Sequence, residues 1–184
     1  MDPALGSNLL KLVAPVAVAV VMATVTRRRG NTGSDRVGLV RPRARDVGRW
    51  LLIWAVWVAL TEVATRLLGI EGAAPWVGYS PLVIVIRILA IGVAGPVAEE
   101  LAFRGIAHWR LRTTPLGTAG AVVVTSLLWT ALHFQYEPAI LAQIFLDGLV
   151  LGAARVRTGS LGAPIAMHVT GNLFSIAESL FGLG

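Results

Sequence analysis

Long apolar runs recur along the whole 184-residue chain, and no other feature restricts its folding as much. A helix needs roughly 20 apolar residues to cross about 30 Å of hydrocarbon. Six such segments are predicted, at residues 8–26, 50–69, 81–106, 117–135, 139–154 and 160–182. Hydrophobic residues make up 55% of the chain and charged residues 14%. A soluble domain carries about a quarter charged residues and could not bury this much apolar surface. The expected fold is therefore all-α, a polytopic transmembrane helical bundle of about six spans. With no cysteine, a thiol nucleophile, a disulfide framework and a Cys-based zinc site are excluded.

The net charge of +6 would suggest nucleic acid in a soluble protein. Here the basic residues sit in short loops between apolar runs, which argues for membrane topology and against a nucleic-acid partner. Arg27, Arg28, Arg29, Arg36, Arg41, Arg43, Arg45 and Arg49 fill the first loop. Arg110 and Arg112 follow the third segment, and Arg155 and Arg157 the fifth. With six spans all three clusters share one side, expected to be cytoplasmic, with both termini outside. Asp2 before the first segment and the arginines after it reverse a signal peptide's charge order, so that segment reads as an anchor. The loop 27–49 is expected to lie on the anionic membrane surface. Lys11 is the one lysine among 16 basic residues. That bias hints at a GC-rich bacterial source and hence at the bacterial inner membrane.

Ionisable residues inside spans are costly and raise a functional hypothesis by default. Glu62 and Arg66, four apart with the acid first, read as a structural pair. Arg87 and Asp147 each lie about two turns inside a span; they either pair with each other or meet water and the interface. The dense constellation begins in Gly95-Pro96-Val97-Ala98-Glu99-Glu100-Leu101-Ala102-Phe103-Arg104-Gly105. Pro96 cannot continue helical hydrogen bonding, so a break at Gly95-Pro96 is expected, with Glu99 near the start of a new half-helix. Glu100 and Arg104 stand one turn apart and can pair, leaving Glu99 for other work. His133 follows Trp129 by four residues, and His168 and Asn172 share one helical face. Counted from the cytoplasmic helix ends, Glu99 lies roughly 18 Å deep, His133 roughly 24 Å and His168 roughly 12 Å. These depths overlap, which allows a shared intramembrane cavity. His108 reads as interfacial, the six tryptophans as belt and packing residues, and Gly148 with Gly152 as a helix-packing pair.

At these residues the chain resembles the CAAX-processing and bacteriocin-processing (CPBP) family of intramembrane proteases. That family carries E-E-x-x-x-R, F-x-x-x-H and H-x-x-x-N motifs on separate helices. Glu99-Glu100 with Arg104 matches the first and His168 with Asn172 the third. His133 matches the second, with Trp129 where Phe is usual. The stretch Arg157-Thr158-Gly159-Ser160-Leu161 and Pro164 also resemble the family's approach to its third motif. The resemblance divides the chain into N-terminal transmembrane segments with a basic cytoplasmic loop, residues 1–80, and a protease core, residues 81–184. It implies hydrolysis of a peptide bond in a membrane-anchored protein or peptide. Glu99 and His133 would activate a water, His168 and Asn172 would stabilise the oxyanion, and Glu100 and Arg104 would support the site. Glu99, His133 and His168 also make a reasonable zinc shell. No H-E-x-x-H is present, and a metal-free glutamate protease fits the same residues. The competing readings are a non-catalytic interaction or immunity protein and a small ion-coupled carrier; the absence of an inverted repeat counts against the carrier.

Overall fold

The computed structural model describes residues 3–28, 30–70 and 76–181, so Asp2, Arg29 and Gly182 lie outside the described residues. Among the described residues all regular structure is helical. The helices are α1 (Pro3–Arg28), α2 (Gly30–Val37), α3 (Ala44–Leu67), α4 (Pro81–Leu111), α5 (Gly117–Ala131), α6 (Pro138–Thr158) and α7 (Gly162–Phe181). Helix starts follow local chemistry. Pro81 and Pro138 occupy first turns, where a missing N–H costs nothing, and Ser80 Oγ accepts the Val83 N–H at 3.4 Å. α6 stops at Gly159, whose φ of +68° is the left-handed cap conformation that glycine adopts without strain.

Four helices, α1, α3, α4 and α6, are long and apolar enough to cross a membrane. The other two predicted segments also form helices but differ from full spans. α5 has 15 residues, about 22 Å at 1.5 Å per residue, short of a full hydrocarbon thickness. It ends at Ala131, so His133 sits in the turn beyond it and not inside a helix. α7 carries His168, Asn172 and Glu178 and packs against α3, α4 and α6.

Burial separates centre from periphery. In the apolar windows of α1 and α3 only 6% of residues are buried inside the protein, against 39% in α4. The apolar faces of α1 and α3 therefore meet lipid, where a helix satisfies its own backbone and needs no protein cover. α4 is the central element, contacted by α1, α2, α5, α6 and α7. α5 and α6 pack closely through the expected glycine pair. A Cβ on Gly148 would come within 2.8 Å of Ser126 Cβ, and one on Gly152 within 2.6 Å of Val122 Cγ1.

The stretch predicted as a surface loop, 27–49, instead contains α2 and is bound to the bundle. Val37 is buried with Leu101 and Leu161. Leu161 N–H donates to Gly38 O at 2.8 Å, Ser160 Oγ donates to Val40 O at 2.7 Å, and Arg155 Nη2 donates to Arg36 O at 3.3 Å. Arg36 and Arg110 flank the Trp109 ring at 5.9 and 4.6 Å. Described members of the three basic clusters thus meet at one end of the bundle, in keeping with the charge pattern.

Gly38 is required here on two counts. Its φ is +87°, and any Cβ would lie 2.6 Å from the buried Arg155 guanidinium, which its hydrogen bonds hold in place. Gly38→Ala is expected to destabilise the protein by about 1–3 kcal/mol. Gly30→Ala, at φ +73° in open space, should cost about 1 kcal/mol from backbone strain alone. Thermal unfolding in detergent compares the two; equal losses would mean that the Arg155 contact is not made.

Candidate active site

The site is organised by the backbone register of α4. Two stretches of this helix, Ile88–Ala94 and Leu101–Ala107, are π-helical, with bonds reaching five residues back, and flank an α-helical Gly95–Glu100. The expected break at Gly95-Pro96 does not occur. Ala94 and Gly95 keep helical dihedrals, at φ −66° and ψ −42° and at φ −57° and ψ −61°. In an α-register the proline ring would clash with the carbonyl four residues back; the wider π-turn before Pro96 relieves that. Glu99 therefore lies within a continuous helix and gains nothing from a helix N-terminus.

This register leaves carbonyls to be satisfied. Gly95 N–H bonds Ala90 O, five residues back. The next bond in that register would run from residue 96 to Ile91 O, but Pro96 has no N–H. Asn172 Nδ2, from α7, donates to that oxygen at 2.8 Å. At the second π-segment His108 N–H bonds Phe103 O, and Arg112 N–H bonds His108 O, four back. Returning from a five- to a four-residue register skips one carbonyl. Arg104 O accepts instead from Arg155 Nε of α6 at 3.1 Å. Each π-segment is thus closed by a side chain from another helix.

Next to these carbonyls lies a buried ionic network. The expected Glu100–Arg104 pair forms: Arg104 Nη1 donates to Glu100 Oε1 at 3.0 Å, with both side chains at most 1% exposed. Arg104 Nη2 donates to Gly148 O at 3.3 Å, and its guanidinium lies 4.5 Å from the Trp129 ring centroid. His168 Nδ1 lies 3.0 Å from Glu100 Oε1. A carboxylate only accepts, so Nδ1 carries a proton and donates. The ring's other nitrogen, Nε2, faces Glu99 Oε2 at 3.9 Å.

Glu99 and Glu100, adjacent in sequence, point about 100° apart. Glu100 is fully buried, whereas the Glu99 side chain is 31% exposed. Glu99 Oε2 accepts the Trp129 indole N–H at 2.5 Å. The Trp129 ring meets His133 and His168 edge-on, at centroid distances of 5.3 and 5.1 Å. His133 Nδ1 donates to Trp129 O at 2.9 Å, and its ring stacks on Tyr136. Glu99, Glu100, Arg104 and His168 are thus brought together. His133 and Asn172 border them, with the bonded nitrogen of each committed to a backbone carbonyl.

The other intramembrane residues resolve differently from expectation. Arg87 and Asp147 do not pair. Arg87 Nη1 donates to Asn8 Oδ1 at 3.1 Å, and its guanidinium stacks on Trp76 and Tyr79. Asp147 Oδ1 accepts from Trp57 Nε1 at 2.6 Å. Glu62 and Arg66 do pair, at 2.5 Å, and Glu178 joins them at 3.7 Å. His108 is buried, because the short turn after α4 folds α5 back over the last α4 turn. Residue type alone gave no signal for Arg155. Trp129 was visible as the one departure from the motif, but its N–H partner was not.

Among the described residues no three of His, Asp or Glu stand together as a metal shell. Glu99 and His168 face each other, and His133 Nδ1 donates to Trp129 O. The atoms that would hold a metal here are the Glu99 carboxylate and the Nε2 atoms of His168 and His133, whose Nδ1 atoms are bonded to Glu100 and to Trp129 O.

The model of the type II CAAX prenyl endopeptidase Rce1-like family matches residues 81–174, just over half of the chain. A protein of Escherichia coli, described as an uncharacterized 24.3 kDa protein, is 36% identical over 88 residues, covering 47% of this chain and 41% of that protein. The match therefore spans less than half of that relative. No solved structure matches the chain. The family match begins at the first residue of α4 and ends two residues past Asn172, enclosing the whole Glu99–Glu100–Arg104–His168 network. This multi-pass membrane protein belongs to the type II CAAX prenyl endopeptidase Rce1-like family.

Proposed function

We propose that the chain is an intramembrane endopeptidase that hydrolyses a peptide bond in a membrane-associated protein or peptide. We place it in a bacterial cytoplasmic membrane with its basic end inward. One observation carries the reading: an accessible carboxylate, Glu99, faces an imidazole locked in place by a second, buried carboxylate. In this reading Glu99 is the general base. It takes a proton from a water, and the hydroxide adds to the scissile carbonyl carbon. His168 carries its Nδ1 proton toward Glu100. In its doubly protonated form it also presents an Nε2–H that stabilises the forming oxyanion. As the C–N bond breaks, the proton held by Glu99 passes to the leaving amine.

Glu100 and Arg104 orient His168 without touching substrate. The buried pair is costly to form, and its value lies in holding the proton on His168 Nδ1 and one ring orientation. Asn172 keeps the proline-containing wall of the site closed through Ile91 O. His133 anchors the turn that carries it to the base of Trp129. No step is routed through a metal.

Glu99→Gln is expected to abolish cleavage, by about 100-fold or more. The test compares protein termini in membranes of cells carrying wild type or Glu99→Gln at equal expression. Termini that vanish in the variant and return on complementation support the reading and name the substrate. Identical inventories would favour a non-catalytic interaction or immunity protein. Stability should separate the two carboxylates. Glu100→Gln removes one partner of a buried pair and is expected to cost about 3–5 kcal/mol. Glu99→Gln should unfold within about 1 kcal/mol of wild type; equal losses would contradict the division of roles. In this metal-free mechanism cleavage is also expected to survive EDTA and 1,10-phenanthroline within about twofold. Loss restored by added zinc would replace the metal-free mechanism.

A further inference from the structure

Trp129 occupies the place where the motif usually has Phe. The two rings fill similar space, but only indole carries an N–H. In this chain that N–H is bonded to Glu99 Oε2 at 2.5 Å. We infer that Trp129 is a positioning residue, fixing the rotamer of Glu99 so that one carboxylate oxygen is tethered and the other is presented for proton transfer. The inference rests on the endopeptidase reading for its catalytic consequence but not for the contact itself.

The indole is well placed for this. Trp129 is 5% exposed and belongs to the core cluster with Trp54, Leu151 and Met167. Arg104 lies over its ring, His133 and His168 touch it edge-on, and its own carbonyl holds the His133 ring. A ring held from so many sides cannot swing, so its N–H direction is set before any substrate arrives. The bond takes Glu99 Oε2, the oxygen that faces His168 Nε2. The other oxygen, Oε1, lies beside Gly95, where even an added Cβ would stay 3.8 Å away. Oε1 has no hydrogen bond from the described residues, which assigns the proton-accepting role to it. A carboxylate attached to the chain at one end only would sample several rotamers, and a misplaced base loses rate steeply.

The test uses Trp129→Phe, which keeps the aromatic filler and removes the donor. Two readouts are needed. The first is the indole region of a ¹⁵N-correlated proton spectrum of full-length protein in detergent. The chain has six tryptophans, and the Trp129 signal is the one lost in the variant. It is expected far downfield and should move upfield in Glu99→Gln, because a neutral amide accepts more weakly than a carboxylate. The second is cleavage of the substrate named by the terminus comparison. Trp129→Phe should lower kcat by about tenfold with KM within twofold, as loss of one bond to a charged group implies. An indole signal indifferent to Glu99→Gln would overturn the contact. Unchanged kcat in Trp129→Phe would overturn the positioning role. A Glu99-dependent signal in a protein that cuts nothing would instead sink the endopeptidase reading and leave the contact standing.

Discussion

Everything around the site depends on how α4 satisfies its backbone while carrying a proline through the middle of a membrane. In hydrocarbon each unpaired carbonyl is expensive because no water can replace a lost partner. Pro96 removes one donor, and the two π-segments shift the register on either side of it. The two carbonyls released, of Ile91 and Arg104, are taken by Asn172 and Arg155. These side chains come from α7 and α6, so the irregular helix can exist only when both neighbours are docked. Local irregularity and tertiary packing are one event, and the event places Glu99, Glu100 and Arg104 at the junction of three helices.

The same coupling explains why a buried ion pair is tolerable. Glu100 and Arg104 are sealed from solvent, and attraction between them alone need not repay desolvation. They are not alone. Arg104 also reaches Gly148 O, which is accessible only because two glycines let α6 approach α5 closely, and Glu100 is further bonded by His168. Each added bond raises the return on burial and narrows the allowed geometry. The small residues of α6 are therefore part of the ionic network as well as of helix packing.

Much of this was legible in the sequence where the relevant interaction was local. The spacing of Glu100 and Arg104 gave their pair, that of Glu62 and Arg66 gave theirs, and the glycines of α6 gave their contact. Reading failed where the outcome depended on a partner distant in the chain. Pro96 announces a missing donor but not that Asn172, 76 positions later, will answer for it; without that knowledge a break is the natural expectation. Arg87 and Asp147 have suitable charges to meet, yet Asn8 and Trp57 reach them first. His108 sits at the polar end of a span by count, but a short turn brings α5 back over it. The loop 27–49 is polar enough to lie on a membrane, but buried Val37 and the hydrogen bonds that Arg36, Gly38 and Val40 accept from Arg155, Leu161 and Ser160 dock it.

The N-terminal helices, outside the stretch matched by the family, are tied to that stretch at several depths. Asn8 of α1 holds Arg87 near the start of α4, and Trp57 of α3 holds Asp147 in the middle of α6. At the basic end Arg155 donates at once to Arg36 O and to Arg104 O, joining the α2 segment to the backbone of the residue that holds Glu100. These helices expose most of their apolar surface to lipid, so they are joined to the rest by these polar contacts and by a few core side chains, Trp54 against Trp129, Leu151 and Met167 and Val37 against Leu101 and Leu161. That division suits a site inside a membrane. Glu100, the supporting carboxylate of the proposed mechanism, is sealed by α4, α6 and α7. The adjacent carboxylate, Glu99, stays partly open on another face of the same helix, as the proposed mechanism requires of a base that meets water and substrate.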